Sequence, residues 1–200
     1  MDIIYNKYMN ISDNFIIQDY LKKDLPYHPI WGKEVVYYYS PQVTFREIPD
    51  EISLTIPTLC YNHCSKDCNS KFCWIENWKG KREELTKEVL KSLILKNEGI
   101  SCVTIMTSLN FEELIKLFSF IKEDFPKLKT ALYIGVEEKE VLNNENFLNL
   151  IKKLDYLKVG SFKKEFGPLN SKTTNQKFYL INHFEDKDYF ECINNKFIKM

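Results

Sequence analysis

From Thr86 onward the apolar positions alternate between helical spacing and strand-length runs. Val89, Leu90, Leu93 and Ile94 form one face of a helix to about Asn97, with Thr86 suited to its N-cap and Gly99 placed to end it. Ile100–Met106 is an apolar run of strand length, as a buried parallel strand requires. Asn110 with Glu113 resembles a capping box for a helix whose inner face is Leu114, Ile115, Leu117, Phe118 and Ile121, and Pro126 follows its end. Thr130–Ile134 repeats the strand pattern and closes at Gly135. Asn144 is placed to cap a helix carrying Phe147, Leu148, Ile151 and Leu154, and Tyr156–Val159 is a further strand ending at Gly160. Strand, helix, strand, helix, strand, helix, strand predicts an α/β fold with a mostly parallel sheet and right-handed crossovers.

The flanks read differently. Val35–Tyr39, Gln42–Ile48 and Ile52–Ile56 are β-branched or aromatic and suit strands, with a turn at Pro49–Asp50. The third of these runs through Pro57 directly into Leu59. Residues 1–34 mix short aromatic pieces (Tyr5, Tyr8, Phe15, Tyr20) with polar ones, and Pro26 and Pro29 interrupt any long element, so an N-terminal extension is expected. His28, between the two prolines, reads as a loop residue. At the other end Lys177–Ile181 and Tyr189–Ile198 read as strands, with Asn194–Asn195 as a hairpin turn. The expected organisation is an extension at 1–34, one domain at 35–183 and a short antiparallel appendage at 184–200.

Composition narrows the function. The 200 residues carry 28 basic and 28 acidic side chains, which favours neither nucleic acid nor an anionic membrane as partner. MDIIYNKYMN lacks the basic stretch and apolar core of a signal peptide, and no apolar run approaches a membrane span. A soluble, cytoplasmic protein is expected. In a reducing compartment clustered cysteines point to metal or redox chemistry.

Four of the six cysteines fall in Leu59–Trp74, LCYNHCSKDCNSKFCW: Cys60, Cys64, Cys68 and Cys73. Thiolates take zinc or an iron–sulfur cluster, so both stay open at this point. Zinc sites usually pair their ligands as two distant couples. Here the gaps are three, three and four residues within one loop, which suits a single compact cluster better. His63 is a further zinc-type donor. Cys102, within a strand pattern, and Cys192, in the tail, read as packing residues without chemistry.

The stretch resembles the radical S-adenosylmethionine enzymes, specifically the activating protein of anaerobic (class III) ribonucleoside-triphosphate reductase. The resemblance runs through FREIPDEISL (Phe45–Leu54), the cysteines, Trp74 six residues after Cys68, LKTALYIG (Leu128–Gly135), and GPLNSKTTNQKFY (Gly167–Tyr179) with its TTNQ at Thr173–Gln176. It covers roughly Tyr38 to Ile181. It implies a partial (β/α) barrel in which Cys60, Cys64 and Cys68 ligate a [4Fe–4S] cluster whose fourth iron is open to S-adenosylmethionine. One-electron cleavage of that sulfonium would give methionine and a 5′-deoxyadenosyl radical, which takes hydrogen from a glycine of the partner reductase. An electron donor such as a flavodoxin or ferredoxin is implied as well. Ser108, Asn110, Tyr133 and Lys158, near strand ends, stand where cofactor contacts are expected.

Two departures define an alternative. Three residues, Ser65, Lys66 and Asp67, separate the second and third cysteines where the family has two, and Met106–Asn110 (MTSLN) lacks the glycines of the family's turn. A binding or regulatory protein on the same fold, without S-adenosylmethionine cleavage, is the second expectation, and a structural zinc protein the third.

Overall fold

The structure is a computed structural model that describes residues 31, 36–58, 83–107, 111–142, 144–184 and 187–198. Its elements are β1 (Tyr37–Tyr38), β2 (Gln42–Thr44), β3 (Ser53–Pro57), β4 (Glu83–Glu84), α1 (Lys87–Lys96), β5 (Cys102–Met106), α2 (Phe111–Asp124), β6 (Lys129–Tyr133), α3 (Glu138–Leu142), α4 (Glu145–Ile151), β7 (Tyr156–Val159), β8 (Lys177–Phe184), β9 (Lys187–Cys192) and α5 (Asn194–Ile198).

Seven strands form one sheet in the order β2-β3-β5-β6-β7-β8-β9, and β1 pairs with β4 in a separate ribbon. The four central strands, β3, β5, β6 and β7, are parallel. β2, on one side, and the β8–β9 hairpin, on the other, extend the sheet by antiparallel pairing. The order follows the chain without a reversal. Right-handed crossovers between successive neighbours then put every crossover helix on the same face.

That face is the main core. Leu54, Ile56, Val103, Ile105, Leu132, Leu157 and Val159 point from the strands into Leu90 and Ile94 of α1, Leu114, Leu117 and Phe118 of α2, and Phe147, Leu150 and Ile151 of α4. Trp31 joins it, its indole N–H donating to the Leu85 carbonyl and its ring lying edge-on to Phe120 at 5.6 Å. Strand side chains alternate between faces. The opposite face therefore carries the intervening residues, and its own small core is Ile48, Cys102, Ala131, Tyr156, Phe178, Ile193 and Phe197.

Local chemistry explains the boundaries. The Thr86 hydroxyl accepts from Val89 N and caps α1 as expected. Asn97, rather than Gly99, is the C-cap, donating its backbone N–H to Ile94 O and its side-chain amide to Leu93 O. Gly99 follows in the left-handed region. Asn144 Oδ1 accepts from Asn146 N and Phe147 N at the start of α4. Leu148, expected inside, is 46% exposed, and Leu150 takes the buried position.

The tail departs from expectation. β8 and β9 pair with Phe184 opposite Lys187, so the chain reverses there and not at Asn194–Asn195. Asn194 instead accepts from Phe178 N at 2.7 Å and donates to Gln176 O at 2.8 Å, which pins the start of α5. Phe197 of that short helix then packs edge-on to Phe178, centroids 4.9 Å apart. The second run, Gln42–Ile48, is strand only to Thr44. Beyond it the chain crosses the opposite face, with Ile48 fully buried.

Candidate functional site at the C-terminal ends of the parallel strands

The central strands end together. Thr58 N donates to Met106 O at 2.9 Å, Thr107 N to Tyr133 O at 3.0 Å, Ile134 N to Lys158 O at 2.9 Å and Gly160 N to Val136 O at 2.8 Å. In α/β proteins this rim is where sites are built. The chain leaves β3 there for residues 59–82, which hold Cys60, Cys64, Cys68 and Cys73 with His63 and Trp74. Those residues, and Ser108 and Asn110 after β5, lie outside the described residues.

Tyr133 and Lys158 are described, and the β6–β7 ladder sets them side by side on the opposite face. Lys158 is 9% exposed, and its Nζ donates to Gly160 O at 2.5 Å, which holds the ammonium at the rim. The Tyr133 hydroxyl donates to the Glu47 carbonyl. Burial first, then the neighbouring Glu47 charge, pushes its pKa well above the usual phenol range, so it is a hydrogen-bond donor rather than a phenolate. Burial likewise raises the Glu47 carboxyl.

Beneath the rim the opposite face is polar. Ser53 and Thr104 hydroxyls lie 2.5 Å apart, and Cys102 Sγ is 3.9 Å from Thr104 Oγ1. Burial pushes the Cys102 thiol up to about 12, so it stays protonated and acts as packing. Cys192, read with it as packing, is exposed. Thr55 is fully buried, and its hydroxyl has no hydrogen-bond partner among the described residues. Sequence reasoning overlooked Thr55 and Ser53. The signal was present in Ser53–Ile56, where small polar and aliphatic residues alternate, the pattern of a strand with two unlike faces.

The TTNQ segment closes the side of the rim at β7. Asn175 Nδ2 donates to Ser161 O at 2.9 Å, while its Oδ1 is buried without a partner among the described residues. Thr173 Oγ1 donates to Phe166 O at 2.8 Å, and Thr174 Oγ1 accepts from Gln176 N at 3.2 Å. Gly160 has φ +87, and a Cβ there would stand 3.2 Å from Asn175 O and Gln176 Cα. At this positive φ a side chain would be strained, and the Asn175–Gln176 backbone would have to give by a few tenths of an ångström to admit it.

At the other end of the strands is a second polar cluster. Glu51, 8% exposed, accepts from Lys129 Nζ at 2.5 Å, Tyr156 hydroxyl at 2.9 Å and Ser101 hydroxyl at 2.6 Å. Burial alone would raise its pKa, but the three hydrogen bonds and the Lys129 charge together hold it below the usual carboxylate range. A cavity of about 280 Å³ lies on the helix-packed side, lined by Glu138, Val141, Leu157, Val159, Tyr179 and Phe190.

No helix among the described residues is long and apolar enough to cross a membrane. Comparison with family models, with curated proteins and with solved structures returned no match.

Proposed function

We propose that the chain is a cytoplasmic radical S-adenosylmethionine activase that installs a glycyl radical on an anaerobic ribonucleoside-triphosphate reductase. The observation that carries the reading is the resemblance itself, several separate segments in family order from Phe45 to Tyr179. The fold is compatible. A sheet wound in chain order, with its crossover helices on one face, leaves the other face to line the interior of a partial barrel.

The residues fit the group. Three thiolates within sixteen residues are soft ligands of the kind a [4Fe–4S] cluster takes, and they follow β3 in the chain, a strand whose Thr55 hydroxyl has no hydrogen-bond partner among the described residues. Cys60, Cys64 and Cys68 hold the cluster in this reading, and leaving one iron without a protein ligand keeps a position for S-adenosylmethionine. When bound, the pair supplies one-electron cleavage of the sulfonium, with a flavodoxin or ferredoxin as electron source. Lys158 offers a cation at the rim for the carboxylate of the amino-acid moiety, and Ser108 and Asn110 offer polar side chains after β5. Tyr133, its hydroxyl committed to Glu47, orients the segment that crosses the interior face. The Thr173–Gln176 segment, braced against Gly160 and Ser161, forms the part of the mouth that meets the partner's glycine loop.

After anaerobic reconstitution, dithionite and S-adenosylmethionine should yield 5′-deoxyadenosine, and Cys60→Ala should abolish it. A fully loaded protein that forms no 5′-deoxyadenosine overturns the activase reading. The glycine-free Met106–Asn110 favours a second reading, a binding protein on the same fold. That reading expects partner binding that survives Cys60→Ala. Stoichiometric zinc in place of iron would instead establish a structural zinc site.

A further inference from the structure

Among the described residues, the last strand of the sheet has an unpaired edge. Ile193 N donates to Phe178 O, continuing the β8–β9 ladder, so Tyr189 and Glu191, in step with Ile193, turn their backbone groups toward β8, as does Lys187. Asp188, Phe190 and Cys192 therefore turn theirs outward, and β9 stands last in the strand order among the described residues. The side chains of Lys187, Tyr189 and Glu191 share one exposed face. Beside them Phe184, 62% exposed, meets the 54% exposed Tyr189 edge-on at 5.7 Å. A six-residue edge without proline or bulge, flanked by exposed aromatics, is a template for strand addition.

Its charges select the occupant. Two copies of β9 paired antiparallel must place outward-turned residues opposite outward-turned residues, so the two-fold axis falls at a residue. Axes at Lys187, Asp188 or Glu191 set like charges face to face, and an axis at Cys192 runs into α5. An axis at Phe190 pairs Tyr189 with Glu191 and matches no charges. An axis at Tyr189 sets Lys187 opposite Glu191 on both sides and stacks Tyr189 on its own copy. These fall at the non-hydrogen-bonded positions, where cross-strand side chains approach most closely.

We infer that β9 is a homodimer interface in which two copies of the chain pair antiparallel about Tyr189, joining their sheets through reciprocal Lys187–Glu191 contacts. Four strands separate β9 from β3, the strand before the clustered cysteines, so the inference stands apart from the activase reading. The test is sedimentation equilibrium of the full-length protein from about 1 to 100 µM. The wild type should be dimeric. Lys187→Glu and Glu191→Lys each turn two attractive pairs into repulsive ones and should weaken dimerisation by about tenfold or more. Mixed in equal amounts, the two variants regain complementary pairs on both sides and should form a heterodimer. A monomeric wild type, single variants as dimeric as the wild type, or a mixture that stays monomeric would each overturn the inference.

Discussion

The two faces of the sheet come from alternate residues of the same strands and differ in kind. On the helix-packed face β3, β5 and β7 present Leu54, Ile56, Val103, Ile105, Leu157 and Val159, an aliphatic surface matched by aliphatic helices. On the opposite face the same strands present Ser53, Thr55, Cys102, Thr104 and Lys158, covered in part by Ile48 and Phe197. A face built for stability alone would resemble the first. The second keeps a buried hydroxyl that has no partner among the described residues and places a lysine at the rim, where its Nζ donates to Gly160 O. Within the second face the contrast repeats along the strands. The Glu51 cluster at their beginnings is fully hydrogen-bonded, whereas at the far end β3 runs into the cysteine-bearing residues 59–82.

Breaking the helix-packed face should have the largest effect. Phe118→Ala removes a fully buried ring from the centre of α2 and should cost about 3–5 kcal/mol in denaturant unfolding.

The Glu51 cluster comes next. Glu51→Gln leaves Lys129 without its carboxylate and should cost about 2–4 kcal/mol at neutral pH. Its folded pKa lies below the ordinary value of 4.5, so its contribution is complete above that value and is lost as pH falls through the folded pKa. The wild type should lose this stability on acidification, and Glu51→Gln should lack that part of the pH dependence. Unfolding curves from pH 7 downward measure both.

The smallest effect has the opposite sign. Thr55→Val replaces an unpartnered buried hydroxyl with a methyl group of similar shape, and should stabilise the cluster-free chain by about 1 kcal/mol. A loss in thermal unfolding would show that Thr55 serves the fold and would narrow the difference between the faces.

The parts legible in the sequence are those where local and tertiary preferences agree. Ile100–Met106, Thr130–Ile134 and Tyr156–Val159 are largely apolar runs that alternate with helices, and all three contain central parallel strands. Thr86 and Asn144 declare their helices because the cap hydrogen bond lies within a few residues of the cap. The tail was misread because its determinants are non-local. Asn194 looks like a turn residue until Phe178 N and Gln176 O, distant in sequence, supply its partners. The Glu51 cluster gathers Ser101, Lys129 and Tyr156 from separate strands, a juxtaposition no spacing rule reveals. For the site, Tyr133 and Lys158 were legible as strand-end residues, and the ladder makes them neighbours. Spacing and resemblance single out the cysteines, which fall in residues 59–82, outside the described residues.

The central claim, that the cysteines after β3 hold a cluster with an iron open to S-adenosylmethionine, is tested most directly by electron paramagnetic resonance. The reconstituted, dithionite-reduced protein should show a [4Fe–4S]⁺ signal that changes when S-adenosylmethionine is added. A cluster-loaded protein whose signal is unchanged by saturating S-adenosylmethionine would contradict the account.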